Sequence, residues 1–599
     1  MAVQVVVRAL RAAPSLTRAS WRCVCVYLIA GSSLLAYFTL ILFIFGWLSP
    51  LASTPRYFTC RVQLLAVSGD EGLTIPGEIT ISTRGAGAIS STGVSGDVLV
   101  SFKLALIYAS ITTGVDYKSY NYYLKIGGDV KGLSATLLFY TTLSHMLSKG
   151  TCPQGVSATG IIGPGGVVGA VGGLEQKLRA AAAGNITLIY APGVQRDLFN
   201  YTSVNVRGVY TIYDLGYAQR SEGLSDFYQL VNTTQLLFKS VYENLSSTAS
   251  AVLSELESLN WSSEYTATAR EKLREAGLVA EQGKYYVAAS LAYSALVSAE
   301  ISRLLYTYET RSGGVLEVVN KTASSVLATA SIVKSEITSL LEDAAKSGLV
   351  DPVYLDLLIT AYARASEAEE YARAASRLVG DLDALITSTA VAKARVLSAY
   401  GWLTAANSAR SALKPYRLVN VSNIVYLSKL ARGFLSEHLE YLSLLGFTAS
   451  TSVSETSSIS ELLEVFSALL VISRLIYSPL NTVFIPTSRE VVKDLVENLK
   501  RLVENYAVLY DYVPLSTLLV LDLAEYYLNT GADASDVISF VYSELPRVAL
   551  YAYMSIVRAR EAVYREDSGL QARALVVAAL AVVVVVSVVL VYYLKRGAE

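Results

Sequence analysis

The stretch that decides how this chain folds is Gly128–Tyr140, GDVKGLSATLLFY. A short loop bounded by glycines runs directly into an apolar segment, and one serine, Ser134, stands at the junction. A serine in this position is either the N-cap of a helix or a nucleophile that a base must activate. The neighbours of Ser134 include no evident catalytic partner, so the choice depends on residues further along the chain.

The composition describes a large folded body that also contains apolar segments. The chain has 599 residues, too many for one ordinary domain, and 53% of them are hydrophobic. Its 49 basic and 50 acidic residues nearly cancel, and no basic tract occurs, so a nucleic-acid partner is not expected. With only two histidines and four cysteines, a zinc site of clustered His and Cys is nearly excluded, and no metal or other cofactor is expected.

Two long apolar segments predict membrane spans. Residues 24–48 contain no charge and follow several arginines, and residues 574–594 precede a Lys-Arg pair directly. A membrane helix needs about 20 apolar residues, and flanking positive charges favour the cytoplasmic side. The sequence therefore predicts a two-pass protein of the cell membrane, in contact with the lipid bilayer, with residues 1–23 and 595–599 in the cytoplasm and the main body extracellular. A cleaved signal peptide is the alternative for the first segment.

Glycosylation sequons and a cysteine pair agree with an external body. Cys60 and Cys152 are the two cysteines of that body, and an oxidising exterior permits a disulfide between them. The alternative is two separate buried thiols. Seven N-x-[ST] sequons, more than chance favours, are candidates for N-glycosylation. Their asparagines are Asn185, Asn200, Asn232, Asn244, Asn260, Asn320 and Asn420.

From about residue 59 to 217 the pattern mixes strands and helices. The segments CRVQLLAVSG and GEITISTRG predict strands, whereas DVLVSFKLALIYASI has helical spacing. A strand that ends at Thr159 leads into a glycine-rich turn, a helix over about Leu174–Ala183 and the strand NITLIYA. No GxxxxGK[ST] phosphate loop occurs, since Lys177 is followed by Leu178, so nucleotide binding is not expected.

These ordered motifs resemble the proteolytic domain of the Lon protease family. That family carries its serine in a G-P-S-A-G loop, followed by a T-G-E strand end and a G-G-[LIV]-x-x-K segment with the catalytic lysine. The matching residues here are Gly132, Ser134, Ala135, Thr159, Gly160, Gly172, Gly173 and Lys177. The threonine and the lysine follow the serine by 25 and 43 residues, as expected of the family. The resemblance covers roughly 160 of the 599 residues and is closest to archaeal membrane-anchored relatives without the ATPase part.

Three positions depart from the family pattern. Lys131 stands where the family usually has aspartate, Leu133 replaces the proline before the serine, and Ile161 replaces the glutamate after Thr-Gly. These residues lie beside the expected catalytic residues and do not take part in the reaction themselves. The departures therefore concern substrate preference and loop geometry, and they leave open a relative that has lost catalysis.

The resemblance implies a serine endopeptidase that cuts polypeptides without ATP, through a Ser134–Lys177 dyad supported by Thr159. A lysine accepts the serine's proton only when it is neutral, so its pKa must fall from about 10.4 by roughly 2–4 pH units, which burial can cause. The apolar neighbours of Lys177 are a suitable setting, and the resemblance gives the Thr159 hydroxyl the role of orienting the amine. The alternatives are an N-cap for Ser134 and a solvated charge for Lys177.

The remainder, from about Leu224 to Arg565, has helical periodicity almost throughout. The complete prediction is an α+β Lon-type protease domain over 57–220, followed by a large all-α helical domain over 221–573, flanked by two transmembrane helices. The helical domain is interpreted as a substrate-capturing or scaffolding arm, or as a spacer. A homo-oligomer through either domain is a further expectation. The alternative function is a non-catalytic, membrane-anchored scaffold with a relic protease domain.

Overall fold

The computed structural model describes most of the chain between residues 57 and 544. The described ranges are 57–83, 85–113, 115–163, 166–184, 186–201, 203–215, 225–311, 314–378, 380–412, 418–444, 461–468, 488–510 and 515–544.

A four-stranded sheet forms first. Strand β1 (Tyr57–Ser68) and strand β2 (Glu71–Thr83) make an antiparallel hairpin, and β3 (Ile89–Thr92) pairs in parallel with β4 (Tyr120–Ile126). Strand β2 also pairs antiparallel with β4, so the strand order is β1-β2-β4-β3. Alternate residues of β1 are buried over much of its length, as expected of a strand with one face towards a core.

Two helices cover this sheet and build the core of the α+β part. Helix α1 (Gly96–Thr113) follows β3, and helix α2 (Thr136–Lys149) follows a 3-10 turn over Leu133–Ala135. Their shared core includes an edge-to-face contact of Phe102 with Phe139, whose ring centroids are 5.5 Å apart. The 3-10 turn carries Ser134 at the start of α2, where the sequence predicts a helix to begin.

The glycine-rich segment is more structured than the sequence predicts. After strand β5 (Val156–Ala158), the chain forms a short hairpin of β6 (Ile161–Ile162) and β7 (Val168–Gly169) and then helix α3 (Leu174–Ala183). A two-residue strand has no periodicity to read, which is why the sequence shows only a turn here.

A parallel sheet closes the α+β part. Strand β8 (Leu188–Pro192) lies between β5 and β9 (Asn205–Val209) and pairs in parallel with both. A 3-10 segment over Gly193–Tyr201 joins β8 to β9. Because β8 follows α3 and pairs with β5, it brings the end of β5 and the helix into one neighbourhood.

A disulfide bond ties β1 to the loop after α2. Cys60 is fully buried on β1, and its sulfur is bonded to that of Cys152, with the two Cα atoms 5.5 Å apart. The two residues are 92 positions apart in the sequence. The bond therefore encloses a long loop that contains α1 and Ser134.

The rest of the described chain is a large helical part. Its named helices are α4 (Ser225–Leu237), α5 (Lys239–Ser258), α6 (Glu264–Glu281), α7 (Tyr285–Thr310), α8 (Gly314–Lys346), α9 (Pro352–Ala375), α10 (Leu382–Ala412), α11 (Val421–Leu444), α12 (Arg489–Tyr510), α13 (Leu515–Thr530) and α14 (Ala534–Glu544). Residues 461–468 are also helical. Helix α9 begins as its sequence predicts, because Asp351 accepts a hydrogen bond from Val353 N at 2.8 Å and Pro352 occupies the first turn.

The helical part also contains one short pair of strands. Strand β10 (Leu349–Val350) pairs antiparallel with strand β11 (Val419–Asn420). Strand β11 lies directly before α11, and strand β10 lies one residue before α9. The two connections between helices therefore run side by side, and their backbone groups form hydrogen bonds with each other.

The two parts of the molecule meet through helices α11 and α12. Lys103 on α1 lies 3.3 Å from a carboxylate oxygen of Glu437 and of Glu440 on α11. Arg196 pairs with Asp494 and lies 4.0 Å from Glu490, both on α12. These pairs are partly exposed, where ion pairs contribute about 0–1 kcal/mol each, so they orient the contact more than they stabilise it.

No helix among the described residues is both long and apolar enough to cross a membrane. That finding corrects the predicted architecture flanked by two transmembrane helices and the predicted two-pass localisation at the cell membrane. Helix α8, for example, has one buried apolar stripe and carries Glu317, Lys321 and Lys334 outside it, whereas a span needs about 20 nearly continuous apolar residues. Segments 24–48 and 574–594, which suggested the spans, lie outside the described residues.

The sequons occupy the surface where the structure describes them. Six of the seven asparagines lie in the described ranges, and all six are exposed. They are Asn200, Asn232, Asn244, Asn260, Asn320 and Asn420. Asn185 lies outside the described residues. Glycosylation of these sites remains a prediction.

Removing the disulfide is expected to destabilise the α+β part. A bond that encloses a loop of this length restricts the unfolded chain, so the Cys60→Ala/Cys152→Ala variant should lose about 2–5 kcal/mol of unfolding free energy. Urea unfolding read by pulse proteolysis of the α+β part measures the loss. A reducing agent should produce a similar loss in the wild-type protein and no further loss in the variant. Equal stability with and without reductant in the wild type would contradict the disulfide.

Candidate active site

The turn that carries Ser134 is held by the start of helix α1. Gly132 has a φ of 93°, a conformation that costs residues with a side chain, and its N–H donates to Asp97 Oδ2. Ser95 Oγ donates to the other oxygen of the same carboxylate and also lies 2.7 Å from the carbonyl oxygen of Val130. The Asp97 carboxylate thus fixes the loop two residues before the serine. Ser134 itself is half-buried.

Helix α3 places Lys177 on its buried face. Leu174, Lys177, Leu178 and Ala181 are the buried residues of this helix, and they recur at the i, i+3, i+4 and i+7 positions of one helical face. The lysine therefore occupies a position where the pattern calls for an apolar side chain. On the opposite, more exposed side of the helix, Glu175 pairs with Arg179, so the Glu175 carboxylate is engaged away from Lys177.

The two elements bring the serine and the lysine together. Lys177 Nζ lies 3.1 Å from Ser134 Oγ, within hydrogen-bonding distance. The lysine is 5% exposed, and burial lowers the pKa of its amine from 10.5 to about 8. Burial acts in this direction because it penalises the charged ammonium and not the neutral amine. A large fraction of Lys177 is therefore neutral near pH 8.

Thr159 lies beside the dyad but makes a different bond from the one that the sequence predicts. Its Oγ1 donates to the backbone carbonyl oxygen of Ser134 at 3.3 Å, and Gly160 N–H donates to the same oxygen at 2.8 Å. The Thr159 N–H in turn donates to Tyr190 O on β8 at 2.9 Å. The threonine thus ties the serine turn to the parallel sheet, whereas the expected role was orientation of the lysine amine.

Gln195 fixes the turn that leads into α3. Its side chain accepts a hydrogen bond from Val171 N and donates one to Val171 O, both at 2.9 Å. A buried glutamine thereby pairs with one backbone residue as a neighbouring strand would. Gly173 follows with a φ of 62°, and a Cβ there would lie 2.6 Å from Val67 Cγ2 on β1. Both features hold the start of the lysine helix against the first sheet.

The other residues predicted for the site surround this centre. Ala135 is buried at the start of α2, and Gly172 is exposed in the turn before α3. Of the three departures from the family pattern, Lys131 is exposed, whereas Leu133 and Ile161 are buried and act as core residues.

Sequence reasoning missed Asp97 and Gln195. Asp97 has the local signature of an acidic residue in the first turn of a helix, but nothing in that signature indicates a bond to Gly132, 35 residues away. Gln195 has no local signature, because a glutamine before a polar segment normally indicates a surface position.

The arrangement places a hydroxyl next to an amine whose pKa is lowered by burial. The described residues contain no group of three or more His, Cys, Asp or Glu side chains that could hold a metal ion. A hydroxyl next to a neutral amine can attack a carbonyl carbon, because the amine accepts the hydroxyl proton as the new bond forms.

No protein-family model matches the chain, and no curated protein matches it at significant similarity.

Replacing Lys177 with methionine should stabilise the protein in a pH-dependent way. The folded-state pKa, about 8, is below the value of 10.5 for a free lysine, so burial of Lys177 costs most below pH 8. This cost declines between pH 8 and 10.5, where the unfolded chain binds more protons than the folded one. The stability advantage of Lys177→Met over the wild type should therefore be about 3 kcal/mol larger at pH 7 than above pH 10.5.

Urea unfolding, read by pulse proteolysis of the α+β part at several pH values, measures this difference. Lys131→Met is the matched control, because Lys131 is exposed and its replacement likewise removes one lysine. The burial of Lys177 would be refuted by a Lys177→Met advantage that does not change with pH.

Proposed function

We propose that this protein is a Lon-like serine peptidase that hydrolyses peptide bonds of polypeptides with Ser134 as nucleophile and Lys177 as general base. The observation that carries the proposal is the 3.1 Å contact between the hydroxyl of a half-buried serine and a buried amine whose pKa is lowered to about 8. The ordered motifs around both residues support it. A serine that only caps a helix does not need a buried lysine, and a solvated lysine would not be 5% exposed.

The first half of the reaction transfers the acyl group to the enzyme. Neutral Lys177 takes the proton of Ser134 while the serine oxygen bonds to the carbonyl carbon of the substrate. The ammonium then gives that proton to the leaving amine as the peptide bond breaks, so an acyl-enzyme ester and a free amine result. The lysine ends this half in its neutral form.

The second half releases the product with the same two groups. Lys177 accepts a proton from a water molecule, whose oxygen attacks the ester carbon. The proton returns to Ser134 Oγ as the ester bond breaks, which restores the hydroxyl and leaves a carboxylic acid product. Protons balance over both halves without a metal or a nucleotide.

The backbone around Ser134 is suited to stabilise the oxyanion. Ser134 and Ala135 lie in the 3-10 turn that leads into α2. Backbone N–H groups in the first turn of a helix have no partner within the helix and lie at the positive end of its dipole. Donors of this kind stabilise the negative oxygen of a tetrahedral intermediate, and one such donor contributes about 2.7–4 kcal/mol in known enzymes.

Replacing either member of the dyad should abolish hydrolysis. Ser134→Ala removes the nucleophile, and Lys177→Arg keeps a positive charge but cannot become neutral at working pH. Each change should lower kcat/KM on an unfolded polypeptide, assayed without nucleotide, by about a thousandfold or more. Ser134→Ala should also abolish labelling by a fluorophosphonate, a reagent that reacts with activated serines.

Two matched variants test whether the loss is specific. Ser148→Ala changes an exposed serine on α2, the helix that follows Ser134, and Lys131→Arg changes an exposed lysine near the nucleophile, so both should retain activity. If Lys177→Arg is fully active while Ser134→Ala is inactive, another residue is the base. If the wild type neither hydrolyses polypeptides nor reacts with fluorophosphonate, the proposal is wrong and a non-catalytic role remains.

The pH dependence of the rate gives an independent test. Hydrolysis requires the neutral amine, so kcat/KM should rise with pH and reach half of its upper value near pH 8, where the pKa of Lys177 lies. An ordinary lysine would place that midpoint above pH 10. Initial rates between pH 6 and 10 measure the midpoint. A rate that falls over this range would exclude Lys177 as the base.

A further inference from the structure

Helices α11 and α12 of the helical part touch the α+β part at two places that both lead to the dyad. Helix α11 packs against α1, and helix α12 packs against the segment Gly193–Tyr201 that joins β8 to β9, here called the connecting segment. Helix α1 packs in turn against the 3-10 turn that carries Ser134, and the connecting segment packs against α3, which carries Lys177. Each member of the dyad is therefore one element away from the helical part.

Charged and buried groups join α12 to the connecting segment. Arg196 pairs with Asp494 and lies 4.0 Å from Glu490, so two carboxylates of α12 surround one guanidinium. The ring of Tyr210 packs against Gly193, where a Cβ would lie 2.8 Å from the ring. Burial, followed by the charge of Asp494, raises the pKa of Tyr210 to about 12, so the tyrosine hydroxyl lies near the ion pair. The connecting segment is thus held between α12 and the end of β9.

The connecting segment is joined to the lysine helix by backbone hydrogen bonds. Gln195, which precedes Arg196 directly, bonds through its side chain to both backbone groups of Val171. Two residues after Val171, the carbonyl oxygen of Gly173 accepts the N–H of Lys177 at 3.0 Å. A displacement of α12 would therefore reach the lysine through a short series of contacts.

Helix α1 makes the corresponding connection on the serine side. Lys103 donates to Glu440 of α11 at 3.3 Å and lies 3.3 Å from a carboxylate oxygen of Glu437. The first turn of the same helix contains Asp97, whose carboxylate accepts the N–H of Gly132 in the serine loop. The two members of the dyad are thus connected to two different helices of the helical part.

We propose that the helical part is a clamp on the dyad, in which α12 holds the lysine side and α11 holds the serine side. The clamp keeps Lys177 buried and within hydrogen-bonding distance of Ser134. Its effect on hydrolysis rests on the proposed peptidase function, whereas its effect on the burial of Lys177 does not. A substrate-capturing arm or a spacer would change the binding or the location of substrates, but it would leave the pKa of the base unchanged.

Reversing one charge of α12 tests the lysine side. Asp494→Lys places an ammonium beside the guanidinium of Arg196, so α12 should move away from the connecting segment and water should approach Lys177. The midpoint of kcat/KM against pH should then rise from about 8 towards 10.5, by about half a pH unit or more, which lowers kcat/KM at pH 7 about threefold. A positive charge that acted only through space would lower the midpoint, so the direction identifies a loss of burial.

Three further variants show whether this contact is the cause. Arg196→Glu/Asp494→Lys restores a pair of opposite charges and should return the midpoint to about 8. Glu490→Lys, at a side chain that is 82% exposed, should raise the midpoint by less than Asp494→Lys does. Glu497→Lys reverses an exposed carboxylate of α12 that pairs with Arg501 of the same helix, and it should leave the midpoint unchanged.

A charge reversal on the serine side should have a different effect. Lys103→Glu adds a third carboxylate beside Glu437 and Glu440, so α1 and the serine turn should shift while Lys177 stays buried. The value of kcat/KM should fall by a similar factor at every pH, and the midpoint should stay near 8. All rates are measured at an ionic strength of about 0.15 M, where exposed charges more than about 8 Å apart are largely screened.

A stability measurement gives the same information without hydrolysis. The advantage of Lys177→Met over the parent protein depends on pH because the buried lysine has a lowered pKa. Urea unfolding read by pulse proteolysis should show that this pH dependence becomes smaller in the Asp494→Lys background. It should keep its wild-type size in the Glu497→Lys and Lys103→Glu backgrounds. The residue at position 494 is the same in both proteins of each compared pair, so its own titration cancels.

The clamp is refuted if Asp494→Lys leaves both the midpoint and the pH dependence of stability at their wild-type values. It is also refuted if Arg196→Glu/Asp494→Lys shows as large a shift as Asp494→Lys, or if Lys103→Glu moves the midpoint equally. A wild type that does not hydrolyse polypeptides would contradict the peptidase proposal alone, and the stability measurement would then decide the clamp. If Asp494→Lys does not fold, Glu490→Lys takes its place in both measurements.

Discussion

The exclusion of one lysine amine from water is the constraint on which the geometry of the candidate site depends. Helix α3 could bury an apolar residue at this position at no electrostatic cost, yet it buries Lys177, and the pKa of that amine falls to about 8 as a result. The fold must therefore hold in place a side chain whose protonated form would have a lower free energy in water. Burial of this lysine therefore lowers stability at the position where the proposed mechanism needs a neutral base.

Three contacts between side chains and backbone hold the elements that meet at this amine. Asp97 holds the serine loop, Thr159 holds the serine carbonyl, and Gln195 holds the turn before the lysine helix. Each contact starts from a different element and ends on the backbone, so it fixes a main-chain position and does not depend on a side-chain rotamer at the far end. The 3.1 Å approach of Lys177 to Ser134 is thus specified by the scaffold and not by these two residues alone.

The sequence predicts those parts of the site that depend on residues close together in the chain. The predicted helix over Leu174–Ala183 has the observed ends, because a glycine in the left-handed region precedes it and another glycine follows it. The hairpin of β6 and β7 was missed, since its strands have two residues each. Asp97 and Gln195 act across 35 and 24 residues, and no periodicity reports such contacts. The flanking membrane helices were predicted from apolar length and flanking positive charges, whereas no described helix is long and apolar enough to cross a membrane. The bond of Thr159 differs from the predicted one because the serine carbonyl lies within its reach.

The pairing of Gln195 with Val171 limits how this region can change during evolution. Glutamate at position 195 would set a second acceptor against the carbonyl oxygen of Val171, asparagine is one methylene too short, and methionine offers neither donor nor acceptor. A single substitution therefore leaves a buried backbone group of Val171 without its partner. Descendants of this sequence should change residue 195 only together with the length or course of the turn at 171–173, so the two segments are inherited as one unit.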